Sequence, residues 1–294
     1  MNRSFENIGT TVSPLFKRYR EVWHYQTEAE QKRRNMPVTF SMAPENIDDN
    51  ASFHYFMLNF FKPGCMSHIS VRPDLAIPLS MMLVLKYSRG ILQTADRKKA
   101  LLISLSHPIE ISERLMSYSL RRNVTQMLNG EIVEEDWQQL MLAAGNIYEL
   151  GIDYWKESAF FETDYLKNII ESSSSSCPYG LVVINDSTGE LEPNYYVPVQ
   201  QLKNIRSLTS ELNLPVIIVN SHLQQYANDA EVFDHIAQLQ EELDSYQLFI
   251  KKADRKAFGK LSFVMSPTCN ILEDALSNFT STIPENYNTI KRIQ

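Results

Sequence analysis

The sequence predicts one α/β domain with a mostly parallel sheet flanked by helices, and three observations indicate this fold class. From residue 66 onward, short apolar runs typical of strands alternate with longer amphipathic runs typical of helices. The run GLVVIND at residues 180–186 stays apolar until its polar end, as a strand buried on both faces does. A chain of 294 residues with 44% hydrophobic content can also bury a large core.

The elements follow in an alternating order. Strands are predicted at residues 66–71, 100–105, 147–152, 180–186 and 215–220, and the runs YQLFIKK and KLSFVM predict a closing pair. Helices are predicted to begin at residue 78 and to span residues 110–122, 134–144, 163–171, 199–212 and 232–243. Ligands of such sheets bind beyond the carboxyl ends of the strands, so functional side chains are expected just after residues 71, 105, 184 and 219.

A separate amphipathic helix is predicted at residues 14–34, before the domain. Its apolar positions recur at helical spacing, at Leu15, Tyr19, Val22 and Tyr25. The same segment is basic, with Lys17, Arg18, Arg20, Lys32, Arg33 and Arg34. We therefore divide the chain into a basic amphipathic helix at residues 1–36, a domain at residues 37–268 and a tail at residues 269–294.

Composition excludes several classes of protein. The apolar runs are much shorter than the roughly 20 residues that span a bilayer, and the first residues lack the apolar core of a signal peptide. A cytoplasmic protein without membrane association is the expectation. The three cysteines are far apart and the six histidines lack metal-ligand spacing, so neither a disulfide framework nor a metal site is predicted.

Charge is distributed unevenly along the chain. The net charge is -7, and residues 168–250 carry eleven acidic side chains against two basic ones. Because affinity for nucleic acid depends mainly on cations that neutralise phosphates, this acidic stretch argues against a nucleic-acid surface in the second half of the chain.

Several segments, in order, resemble the C-terminal RecA-like domain of DnaB-type replicative DNA helicases over about residues 37–266. FFKPGCMSHISVRP is similar to the stretch that leads into the family's phosphate loop, and LNGEIVEEDWQQLMLAAGNI resembles its Gly-x-Leu-x-x-x-Asp-Trp segment. ALLISLSHPIEISERLM, GLVVIND and LTSELNLPVIIVNSHL resemble three further strands. The resemblance implies a RecA-like P-loop NTPase fold, and it places residues 14–34 where the family has a linker helix that docks on the neighbouring subunit of a ring.

The phosphate loop is the first place where the sequence departs from this family. In the alignment, the loop Gly is Ala76, the phosphate-binding Lys is Ile77 and the magnesium-binding Thr is Pro78. A remnant of the loop is left at Arg72, Pro73, Asp74, Ala76, Ile77 and Pro78. Arg72 can contact a phosphate or form a salt bridge that orders the turn.

The sequence also departs from the family at its other catalytic positions. The catalytic Glu aligns with Ser106, the magnesium-orienting Asp with Asn185, and the sensor Gln with Ser221 or, after a slip of one residue, Asn220. Asp186 is a partial replacement for the lost Asp if the loop shifts. The arginine that a subunit extends into its neighbour's site aligns with Asp254, beside Arg255. The resemblance therefore implies the fold without ATP hydrolysis, with no catalytic residue, metal ligand or cofactor; binding of ATP with magnesium is the alternative.

The loops that hold DNA in this family are also changed. They correspond to residues 187–196 and 221–231, and neither stretch contains Lys or Arg. We expect weak or no nucleic-acid binding.

Three functions are consistent with these observations. The first is a non-hydrolysing binding or regulatory protein of DNA replication or of a mobile element, which associates with itself or with a replicative helicase subunit. The second is a divergent but active ATP-dependent DNA helicase. The third is an acidic anti-helicase or DNA-mimic protein, suggested by the acidic stretch.

Overall fold

A ten-stranded sheet forms the centre of the protein. The computed structural model describes residues 6–7, 56, 59–92, 98–104, 108–124, 127, 134–156, 163–173, 177–186, 198–220, 231–242, 245–252 and 261–274. The helix predicted at residues 14–34 lies outside these ranges. The strands are β1 (Glu6–Asn7), β2 (Met66–Ser70), β3 (Lys99–Ser104), β4 (Ile152–Lys156), β5 (Tyr179–Asp186), β6 (Val216–Asn220), β7 (His235–Glu242), β8 (Ser245–Lys252), β9 (Leu261–Met265) and β10 (Leu272–Asp274).

The strand order is β1-β4-β3-β5-β6-β2-β7-β8-β9-β10. From β4 to β7, neighbouring strands pair in parallel, which confirms the predicted mostly parallel core. At one edge, β1 pairs antiparallel with β4, and at the other, β7 to β10 form antiparallel pairs. The carboxyl ends of β3, β5, β6 and β2 therefore lie along one edge of the sheet.

Helices cover both faces of the sheet. They are α1 (Pro73–Leu92), α2 (Pro108–Leu120), α3 (Glu134–Glu149), α4 (Thr163–Ser173) and α5 (Val199–Glu211). Among the described residues, no helix is both long enough and apolar enough to span a membrane.

Two apolar clusters define the two faces. Residues of α1, α2 and α3 pack with Leu181 and Val183 of β5, and we call this side the α1 face. Residues of α4 and α5 pack with Val182 and Ile184, on the side that we call the α5 face. Because side chains alternate across a strand, each strand residue can be assigned to one of these faces.

The prediction of a helix at residues 232–243 is wrong, because residues 235–242 form the strand β7. Buried His235, Ala237 and Leu239 alternate with more exposed neighbours, which is the period of a strand. The segment is rich in Gln, Glu and Leu, which favour helices, but pairing with β2 and β8 on its two sides outweighs that preference.

The strand predicted near residues 147–152 is also displaced. α3 continues to Glu149, because Leu140, Ala143 and Ile147 recur at helical spacing and are buried. Gly151, with φ of 62°, ends the turn, and the strand follows as β4. The remaining predicted strands and helices are present, with boundaries shifted by a few residues, and β10 lies in the segment assigned as the tail.

Candidate functional site

The candidate site is the edge of the sheet where β2, β3, β5 and β6 end. α1 is the element that would form the phosphate loop, and it begins at Pro73 instead of at Pro78 as predicted. Only Val71 and Arg72 separate it from β2. The Val71 N–H donates to the Asn220 carbonyl at 2.9 Å, and the Leu75 N–H donates to the Arg72 carbonyl at 3.1 Å. The connection is therefore a tight turn directly into a helix.

The residues that start α1 favour this early helix. Pro73 occupies the first helical position, where its fixed φ fits and its missing N–H has no intrahelical partner to lose. Asp74 lies in the first turn, where a negative charge is stabilised by the helix dipole. A phosphate loop needs open backbone amides in this segment. Here the segment is helical instead.

The three positions aligned with Gly, Lys and Thr belong to the helix packing surface. Ala76 and Pro78 are buried, and Ile77 is half-buried and packs against the core of the α1 face. The Ser80 hydroxyl donates to the Ala76 carbonyl at 2.8 Å, within the same helix. Pro78 has no N–H to offer to any ligand. These positions therefore contribute to packing, and none presents a cation or a hydroxyl at the edge.

Arg72 is held by two carboxylates. Its guanidinium donates to Asp74 at 2.9 and 3.2 Å and also forms an ion pair with Glu241 of β7. The hydrogen bond to Asp74 is the main cause that raises the pKa of Arg72 above its usual value. Of the two roles predicted for Arg72, the structure shows the salt bridge.

The last two residues of β5 point to opposite faces. Asn185 follows Leu181 and Val183 onto the α1 face and is only 4% exposed. Neither polar atom of its side chain has a hydrogen-bond partner among the residues that the structure describes. Asp186 lies on the α5 face, where its carboxylate accepts a hydrogen bond from the Asn220 amide at 3.5 Å. Because α1 lies on the other side of the sheet, Asp186 does not take the place of the lost Asp.

Asn220 joins Asp186 to a buried histidine. His68, on β2, is hydrogen-bonded to Asn220 and stacks on Phe233 with ring centroids 5.1 Å apart. Burial lowers the pKa of His68 to about 4, and the positive charge of Lys251 acts in the same direction. The histidine is therefore neutral at physiological pH. We call His68, Asn220 and Asp186 the α5-face network.

Sequence reasoning did not find this network. It assigned no role to His68 and named Asn220 only as an alternative alignment for the sensor position. A usable signal was present in the strand MSHIS, where His68 and Ser70 are two residues apart in a buried strand. Polar groups at that spacing share one face and need partners on the neighbouring strand.

The other predicted positions are not part of the described structure. Ser106, Ser221, Asp254 and Arg255 all lie outside the described ranges, as do residues 187–196 and 221–230 of the two loops compared with DNA-holding loops. Within the described part of the chain, no three or more His, Cys, Asp or Glu side chains are grouped so that they would hold a metal ion.

An ATPase domain of a DnaB-like helicase is similar with a TM-score of 0.59 at 15% identity, covering 76% of this chain and 90% of that one. The fold is that of a DnaB-like helicase ATPase domain. A DnaB-like replicative helicase, described with its interactions with primase, is similar with a TM-score of 0.57 at 15% identity; the match covers 74% of this chain and 60% of that one. No protein-family model and no curated protein matches the sequence.

The DnaB-like fold confirms the predicted RecA-like architecture. The chain matches somewhat over half the length of the replicative helicase to which it is similar. At 15% identity this similarity shows the fold alone. The chemistry of the edge depends on its own side chains.

Proposed function

We propose that the protein is a catalytically degenerate DnaB-like domain that acts by binding a partner and does not hydrolyse ATP. One observation carries the proposal: residues 73–78, where the resemblance places the phosphate loop, are the first turns of α1, with Ala76 and Pro78 buried. Phosphate binding at this position needs open backbone amides and a lysine. Restoring them would require unwinding the start of a packed helix.

The neighbouring positions support the same proposal. Magnesium is held by hard oxygen ligands, usually carboxylates and phosphate oxygens. On the α1 face, β5 ends in an amide, Asn185, while Asp186 is bonded to Asn220 on the other face. Arg72, the cation closest to the start of α1 in sequence, is already neutralised by Asp74 and Glu241.

The proposed partners are further copies of this chain or a subunit of a replicative helicase. Support comes from the DnaB-like fold together with the sequence resemblance, which implies subunits that pack in a ring. The acidic balance of residues 168–250 favours a protein partner over a nucleic acid. The cellular context that follows from this hypothesis is DNA replication or a mobile element.

A thermal scan with magnesium-ATP tests the loss of nucleotide binding. A ligand at about 100 times its Kd stabilises a protein by roughly 2.7 kcal/mol, which moves the Tm of a domain of this size class by several degrees. We expect no shift with millimolar magnesium-ATP, and the same curve when EDTA replaces magnesium. An upward shift that requires magnesium, together with ATPase activity stimulated by single-stranded DNA, would instead establish the divergent active helicase.

Mass measurement in solution tests the partner. The chain is measured alone and with a candidate replicative helicase, each with and without ATP. A mass above that of one chain, or a mixed complex, is the expected result. A monomer in all four conditions would contradict the proposal.

A further inference from the structure

α3 presents an apolar face to solvent. Of the large hydrophobic side chains that are exposed in the described residues, three of four belong to α3: Met141 at 38%, Leu142 at 61% and Tyr148 at 59%. They lie on one side of the helix together with Gly145, where an added Cβ would meet nothing within 4 Å. We call Met141, Leu142, Gly145 and Tyr148 the α3 face. Clustered apolar surface of this kind marks a binding site.

The charge of α3 restricts what can cover this face. The helix carries no basic residue and four acidic ones, of which Asp136 is paired with Arg122; the others are Glu134, Glu135 and Glu149. Two α3 faces from two copies would bring like charges together, which is unfavourable. The complementary surface is one that combines apolar and basic side chains at helical spacing.

Residues 14–34 have this combination. In the helix that the sequence predicts, Leu15, Tyr19 and Val22 would form an apolar stripe, and the segment carries six Lys and Arg residues against three Glu residues. Aromatic and aliphatic side chains on one side of a helix fit a second helix in the ridges-into-grooves manner. The open space at Gly145 allows a close approach.

The first described strand, β1, lies beside β4, the strand that follows α3. β1 pairs with β4 so that Asn7 is opposite Asp153, and β4 begins three residues after α3 ends at Glu149. Because β1 runs antiparallel to β4, the chain that leaves Asn7 is directed toward the end of α3. The six residues between Asn7 and Pro14 can span about 20 Å at roughly 3.3 Å each. α3, with 16 residues, is about 24 Å long.

We propose that residues 14–34 dock as a helix on the α3 face of their own chain. The resemblance to ring helicases predicts docking on a neighbouring subunit instead, and the short connection from β1 is what distinguishes the two arrangements. The docked helix covers the apolar side chains of α3 and places its basic residues near the acidic ones. This inference is independent of the proposed loss of ATP hydrolysis.

Cysteine cross-linking tests the docking and its connectivity. In a Cys177→Ser background, in which the two other cysteines are buried, Tyr19→Cys and Leu142→Cys are introduced together. A short bis-maleimide is expected to join them within one chain, and the product keeps the mass of a monomer. The control combines Tyr19→Cys with Gln200→Cys, which is exposed on α5 across the sheet, and it is expected to remain uncross-linked.

A mixing experiment separates the two arrangements. One chain carries only Tyr19→Cys and a second carries only Leu142→Cys, and the two are combined before the reagent is added. We expect at least tenfold less cross-linking between chains than within the double variant. Cross-linking mainly between chains would overturn docking on the same chain, and absence of cross-linking in the double variant would overturn the docking site itself.

Limited proteolysis gives a second readout. Leu142→Glu places a charge on the α3 face, and we expect trypsin to cut at the basic residues of 14–34 about ten times faster than in the wild type. Gln200→Glu adds the same charge on α5 as the matched control and should leave the rate unchanged. Equal cleavage rates in the wild type and both variants would contradict the proposal.

Discussion

The two faces of the sheet differ at the edge where a DnaB-like ATPase would hold its nucleotide. On the α1 face, β5 ends in a buried Asn185 whose amide has no hydrogen-bond partner in the described structure. On the α5 face, the carboxylate of the next residue, Asp186, accepts a hydrogen bond from Asn220, which also bonds His68. Asn185 and Asp186 are therefore consecutive residues of β5, and among the described residues only the second has a side-chain hydrogen bond.

This difference indicates where polar groups stabilise the protein. A buried amide without a partner costs free energy, whereas hydrogen bonds between side chains link neighbouring strands. The α5-face network joins β2, β6 and β5 through side chains. At the end of β5, the side-chain hydrogen bonds that link neighbouring strands therefore lie on the α5 face.

The largest effect is expected from pH, through His68. Its pKa is about 4 in the folded protein against 6.5 as the reference value, so between these pH values the unfolded chain binds the proton and the folded chain does not. The free energy of unfolding should therefore fall as the pH is lowered through this window, by on the order of 3 kcal/mol in total and roughly 2 kcal/mol between pH 7 and about 5. Urea denaturation at the two pH values measures it.

His68→Phe is the control for the pH effect, because it keeps a ring against Phe233 and removes the titrating group. Carboxylates also titrate toward the acid end of this window, so the difference between wild type and variant isolates the histidine. If both proteins lose the same free energy of unfolding between the two pH values, His68 is not held neutral by burial.

A matched pair of substitutions compares the two faces directly. Asn220→Ala removes the amide that bonds Asp186 and His68, and we expect it to lower the free energy of unfolding by roughly 2 kcal/mol. Asn185→Leu replaces the amide on the α1 face with an apolar side chain, and we expect about 1 kcal/mol of stabilisation. Urea denaturation measures both. If both variants lose the same free energy of unfolding, Asn185 has a hydrogen-bond partner that stabilises the protein as much as the contacts of Asn220 do.

The smallest effect is expected for the ion pair at the start of α1. Arg72 and Glu241 have side chains that are 50% and 43% exposed, and water screens their attraction. Glu241→Gln should change the free energy of unfolding by less than about 1 kcal/mol. Glu231→Gln, at an exposed position shortly before β7, removes the same charge and serves as the control. A loss well above 1 kcal/mol specific to Glu241→Gln would mean that Arg72 orders the turn into α1.

Much of the fold could be predicted because its signals are local. The continuous apolar runs of β5 and β6 and the 3.6-residue periodicity of α2 and α5 are visible without any tertiary contact. β7 was predicted as a helix because its composition favours one, and its strand conformation depends on β2 and β8, which are distant in sequence. The extent of α3 was predictable from Leu140, Ala143 and Ile147, and the sequence reasoning missed it.

The candidate site was predicted less completely. The substitutions at Ala76, Ile77 and Pro78 are evident from the sequence once the resemblance is accepted, but their burial in α1 is not. The partner of Arg72 could not be predicted either, because Glu241 lies 169 residues away along the chain. Contacts of this kind depend on strand order, which no local pattern contains.

The sequence by itself determined the alternation of strands and helices, the absence of a lysine and a threonine from the loop position, and the acidic balance of residues 168–250. Only the tertiary structure decided that α1 begins at Pro73, that Asn185 and Asp186 divide between the two faces, and that Asp186 joins Asn220 and His68. The physical reason is that composition and periodicity are properties of neighbouring residues. The face on which a side chain lies, and the partner it finds there, depend on strand pairing and helix packing between segments that are far apart in the chain.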